Sequence, residues 1–129
     1  MPTISSEQDA LALVKTYLAA MQMRDCEAAS DCLSEGAVLT FPGGVRRDGA
    51  SAIAAGSASR YRRNDKTIEA WEVSHQDQAW VVYCRGTLFG EWPDGRPFSG
   101  IRFIDRFEVG AEGITRQDVW NDTGEVRPR

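Results

Sequence analysis

The stretch Ile101-Arg102-Phe103-Ile104-Asp105-Arg106-Phe107-Glu108-Val109 decides how this chain is read. Side chains of a strand point alternately to its two faces, so Ile101, Phe103, Asp105, Phe107 and Val109 share one face. Arg102, Ile104, Arg106 and Glu108 share the other. The first set is expected to face a core, which places one carboxyl group in the middle of an apolar surface.

Working outward from it, period-two patterns also mark strands over about 67–75, 79–92 and 113–122, with this one running over about 99–109. Gln76-Asp77-Gln78, Pro93-Asp94-Gly95-Arg96-Pro97 and Gly110-Ala111-Glu112-Gly113 are the turns between them. Short turns make successive strands antiparallel neighbours. Before Lys66 the period is helical. Ser6-Glu7-Gln8-Asp9 reads as a capping box ahead of Leu11, Val14, Leu18 and Met21, and Asp25 caps a shorter helix that Gly36 ends. Ala37-Val38-Leu39-Thr40-Phe41 reads as a strand stopped by Pro42-Gly43-Gly44, and Asp48 as the cap of a third helix whose Ala54, Ala55, Gly56 and Ala58 leave space. The order α-α-β-α-β-β-β-β describes an α+β domain with helices on one face of a curved antiparallel sheet.

The 129 residues are expected to form a single domain, 1–129, large enough for a core and an internal pocket. Lys and Arg number 15 against 19 Asp and Glu, a net charge of −4, which argues against nucleic acid as a partner. No apolar run approaches the roughly 20 residues that span a bilayer, and the first residues lack the basic-then-apolar order of a signal peptide. No membrane association and a cytoplasmic location are therefore expected. Cys26, Cys32 and Cys84 are an odd number without a C-x-x-C pair, and His75 is the sole histidine. Reduced thiols and no metal are expected, and, since no nucleotide-binding glycine motif occurs, no cofactor.

Tyr17-Leu18-Ala19-Ala20-Met21, Arg24-Asp25, Glu35-Gly36-Ala37-Val38, Phe41-Pro42, Asp48-Gly49, Ile104-Asp105-Arg106-Phe107, Gly113-Ile114 and Trp120-Asn121-Asp122 follow one another in an order and spacing that resembles the nuclear transport factor 2-like superfamily. It resembles in particular the SnoaL-like and ketosteroid isomerase-like members. The resemblance runs from Leu13 to Asp122 and implies a cystatin-like cone, in which a curved antiparallel sheet and three N-terminal helices enclose an apolar pocket, commonly in a homodimer.

An acid on an apolar face loses solvation, which raises its pKa and favours a neutral form able to donate a hydrogen bond. The matching aspartate of ketosteroid isomerase works this way beside a tyrosine that corresponds to Tyr17, so the resemblance implies Tyr17 and Asp105 as a catalytic pair. It fails at the proton-carrying aspartate of that enzyme, where Phe41 stands, so steroid isomerisation by that route is disfavoured. In limonene epoxide hydrolase an arginine and two aspartates activate water. The matching positions here are Arg85, Thr87 and Val119, of which only the arginine survives.

Arg85 shares a face with Thr87 and Phe89; pointing inward, it would hold Asp105 ionised, an alternative to the neutral donor. The resemblance puts Gln117, Val119 and Asn121 in the pocket, with Phe41, Phe103 and Phe107 as apolar walls. Glu72 and Glu91 are candidates for a second carboxylate. His75 is expected to be exposed. If His75 pairs with Trp80, then Trp71, Val73, Trp80, Val82 and Trp120 form an apolar patch on the convex face that a homodimer would cover.

Three functions fit these residues. The first is an isomerase, cyclase or dehydratase, without cofactor, acting on an apolar carbonyl or enol substrate through a Tyr/Asp oxyanion site. The second is a non-catalytic binder of a small apolar oxygen-bearing molecule. The third is a protein-interaction module.

Overall fold

The computed structural model describes residues 4–128. Helix α1 (Glu7–Gln22) starts where Ser6 accepts a hydrogen bond from the Asp9 amide at 3.1 Å, and it buries Ala10, Leu13, Val14, Tyr17 and Ala20. Helix α2 (Cys26–Asp31) is capped by Asp25, as its sequence implies. It stops earlier than Gly36, because strand β1 (Leu33–Phe41) already begins at Leu33.

The Pro42-Gly43-Gly44 turn, both glycines at positive φ, folds β1 back onto a short strand β2 (Val45–Arg47). Helix α3 (Ala50–Arg60) is capped by Gly49 at φ +104°, not by Asp48. That backbone angle is one that glycine adopts without strain.

Four long strands follow: β3 (Arg63–Gln76), β4 (Ala79–Glu91), β5 (Pro97–Gly110) and β6 (Gly113–Asn121). A short helix α4 (Thr123–Val126) comes after them. The six strands form one sheet in the order β2-β1-β6-β5-β4-β3. All neighbours are antiparallel except β1 and β6, which pair in parallel. The parallel pair joins segments too far apart in sequence for turn signals to reveal it.

The inner face of β5 is as its alternation implies: Ile101, Phe103, Asp105, Phe107 and Val109 are all buried. Register then fixes the neighbours. On β4, Trp80 lies opposite Val109, Val82 opposite Phe107, Cys84 opposite Asp105 and Leu88 opposite Ile101. On β6, Gln117, Val119 and Asn121 lie opposite Phe107, Asp105 and Phe103.

This corrects the expected convex patch. His75 does pair with Trp80, but Val82 faces Phe107, so Trp71, Val73, Trp80 and Val82 belong to the inner face. Of that set only Trp120 lies outside, 53% exposed.

Strand β3 carries one extra residue. Ile68 pairs with Gly86 and Ala70 with Arg85, so Glu69 is a bulge. Asn64, Lys66 and Ile68 face inward before it, and Trp71 and Val73 after it. The bulge packs closely on its partner: a Cβ on Gly86 would sit 1.9 Å from the Thr67 carbonyl oxygen, which only glycine avoids.

Candidate functional site

A cavity of about 340 Å³ opens between the helices and the concave sheet face. Each element lends it one face. Helix α1 contributes Leu18, Met21 and Gln22, spaced by one turn, and helix α3 contributes Ile53, Ala54, Ser57 and Arg60 along one side. Strand β3 supplies Asn64, Lys66, Ile68 and, past its bulge, Trp71. Leu88, Phe103 and Val119 close the sheet side, while Phe41 and Asn121 stand at its edge.

Asp105 is on this cavity and fully buried. Neither of its carboxyl oxygens has a hydrogen-bond partner among the described residues. Among the described residues its one ion-pair partner is Lys66, whose Nζ is 3.7 Å from Oδ2, too long for a good hydrogen bond. Lys66 also sits over the Phe103 ring, 5.4 Å from its centre. Burial pushes the Asp105 carboxyl up from its ordinary value, and the Lys66 ammonium opposes this without cancelling it. Cys84, directly across the sheet, has its thiol pushed up to about 12 by burial and by the Asp105 charge. A thiol in that state is a poor nucleophile near neutral pH.

Tyr17 does not join Asp105 at the cavity. Its hydroxyl donates to Gln117 Oε1 at 2.7 Å, its ring meets Phe107 edge-on at 5.9 Å, and it is buried behind the wall. Burial first, then the Asp105 charge, raises its pKa. Phe107 and Gln117 likewise pack behind the surface and are not part of the lining. The donor pair expected from the resemblance is therefore not assembled, since Gln117 already satisfies the tyrosine. Of the other expected residues, Phe41, Phe103, Val119 and Asn121 do line the cavity.

Arg85 and Thr87 do not. The register that turns Cys84 and Leu88 inward turns Arg85 and Thr87 to the convex side, where Arg85 pairs with Glu69 at 3.4 Å. The cation beside Asp105 is Lys66 instead. Neither Glu72 nor Glu91 reaches the cavity; the second acid there is Asp65, held by Arg63 at 2.7 Å and by Gln22 at 3.3 Å. His75 is exposed and its ring meets that of Trp80 at a tilt of 35°, with ring centres 4.3 Å apart. Among the described residues no group of three or more His, Cys, Asp or Glu side chains is gathered as a metal site. No helix among them is long and apolar enough to cross a membrane.

The raised pKa of Asp105 has a consequence for stability. A carboxyl that holds its proton more tightly in the folded chain lets stability stand highest while both states are protonated, below about 3.8. Stability then falls as pH rises through the folded-state pKa. Asp105→Leu should therefore stabilise the protein at pH 8 by about 1–3 kcal/mol, the usual cost of an unsatisfied buried polar group. The gain should shrink towards pH 4. Urea midpoints at pH 4, 6 and 8 check this, and a gain independent of pH would contradict it.

No curated protein matches the sequence. Solved structures share the fold. A candidate polyketide cyclase from Xanthomonas campestris pv. campestris superposes with a TM-score of 0.73 at 22% identity, covering 94% of this chain and 96% of that one. A nuclear transport factor 2-like protein of unknown function from Burkholderia pseudomallei K96243 gives 0.74 at 15% identity, with 94% and 95% covered. TerC, co-crystallised with polyporic acid, gives 0.73 at 17% identity, with 90% and 93% covered. The family description SnoaL-like domain matches residues 14–117. With its helices laid on a curved sheet, the chain belongs to the SnoaL-like domain family.

Proposed function

We propose that the protein binds a small, mostly apolar, oxygen-bearing molecule in this cavity and transfers a proton on it with Asp105. The observation that carries the reading is the Asp105 carboxyl, fully buried, with two unpartnered oxygens and the Lys66 ammonium at 3.7 Å. A base is most effective when its pKa lies near the working pH, and burial moves Asp105 in that direction. The chemistry that fits is abstraction of a proton from carbon next to a carbonyl. The C–H bond breaks, its proton goes to Asp105, and its electron pair forms an enolate whose oxygen Lys66 stabilises. Return of the proton to another carbon isomerises the substrate, while attack of the enolate carbon on an internal carbonyl closes a ring, the carbonyl π electrons passing to an alkoxide that takes the proton back from Asp105. The cyclase description of one fold relative and the polyporic acid co-crystallised with another agree in kind with such a ligand.

Binding without chemistry is the second reading, favoured by Phe41 at the position where ketosteroid isomerase has its base and by the inward commitment of Tyr17 to Gln117. Proton NMR of 2-tetralone in D2O separates the two. The protein should accelerate exchange of the α-protons, Asp105→Asn should lose about 10²-fold or more of that rate, and Lys66→Met should also slow it. Binding of 2-tetralone without exchange would leave only the binder.

We also propose that a second copy covers the convex face, where Trp120 is 53% exposed above a groove of about 740 Å³. Arg85, Glu69, Arg102 and Asp122 rim that groove with charges, the arrangement of a polar border around an apolar contact. Sedimentation at micromolar concentration should give twice the monomer mass, and Trp120→Glu should halve it, because a desolvated charge is costly. Trp80→Glu should instead unfold the chain. A wild-type monomer would sink the dimer.

A further inference from the structure

The charged groups on the cavity are unbalanced in the opposite sense to the chain. Lys15, Arg24, Arg47, Arg60 and Lys66 line it against only Asp65 and Asp105, although the whole protein carries −4. Asp65 is already engaged by Arg63, and Asp105 has Lys66. Among the described residues no carboxylate lies within 4.0 Å of Lys15, Arg24, Arg47 or Arg60, so these four cations are uncompensated.

Two of them are built into one place. The Arg47 guanidinium lies flat on α3 at Gly56, where a Cβ would come within 2.8 Å of its Nη2. Arg60 follows four residues later, about one helical turn along, and its Nε is buried without an acceptor. Two like charges on one cavity raise its positive potential, and one of them has already lost water from a donor. Both costs are relieved by an anion that accepts from the two forks.

We infer that the ligand carries a carboxylate, received by Arg47 at the end of β2 and Arg60 at the end of α3, while its apolar body lies against Trp71, Leu88 and Phe103 and its reacting end reaches Asp105. This rests on the cavity being a small-molecule site and names the substrate class: aromatic or polycyclic carbonyl compounds bearing an acid group. Lys15, poised 5.3 Å over the Trp71 ring, adds to the positive field on the opposite wall.

The test compares 6-hydroxy-2-naphthoic acid with its methyl ester, with binding followed by quenching of tryptophan fluorescence. The acid should bind at least about tenfold more tightly at low salt, the value of one charge-assisted contact, and the preference should narrow as salt is added. Arg47→Gln and Arg60→Gln should each erase most of the preference, with urea midpoints near that of the wild type showing that the variants are folded. Gly56→Ala, which pushes the Arg47 guanidinium aside, should act in the same direction. Equal binding of acid and ester by the wild type, or a preference that survives removal of both arginines, would overturn the inference while leaving the pocket reading intact. Failure of both compounds to bind would defeat the pocket reading and this inference together.

Discussion

The organising constraint of this molecule is a carboxyl group buried without a hydrogen bond. Asp105 stands on β5 between Cys84 of β4 and Val119 of β6, and neither neighbour offers its oxygens a side-chain donor. Such a group stays in a core only when the surrounding structure supplies enough favourable burial to offset it. Phe103, Phe107, Val82, Ile114 and the inner face of α1 supply that burial. What remains is a site that gains free energy when something else, a ligand atom, becomes the missing partner.

The bulge at Glu69 determines what stands beside that group. Strict alternation along β3 would have sent Lys66 and Trp71 to opposite faces, whereas one inserted residue brings both to the cavity. The ammonium then reaches Asp105, and the indole becomes a wall on which Lys15 also rests. Gly86 is what allows the two backbones to approach closely enough for this. A local backbone irregularity thus sets the electrostatics of the site.

Much of this was legible in the residues. The β5 alternation put Asp105 inward, the superfamily resemblance put Val119 and Asn121 beside it, and the helix caps at Ser6 and Asp25 marked where α1 and α2 begin. Positions that depend on register between strands were not legible. Alternation alone does not say which face of β4 points in; the pairing of Cys84 with Asp105 does, and it turns Arg85 and Thr87 outward and Trp80 and Val82 inward. Lys66 precedes the alternating segment, and a bulge separates it from the residues that share its face, so no pattern marks it. The α3 arginine site could not be read either, since Arg47 meets Gly56 only through the turn of β2 against the helix.

The site depends on Asp105 holding a raised pKa in the folded protein, opposed by Lys66. Carbon-13 NMR of aspartate-labelled protein, with the Asp105 resonance assigned by its loss in Asp105→Asn, follows that titration directly. The midpoint should lie clearly above the ordinary value of 3.8 and move higher still in Lys66→Met, where the opposing cation is gone. A midpoint at or below that value in the wild type, or one that does not respond to Lys66→Met, would contradict it.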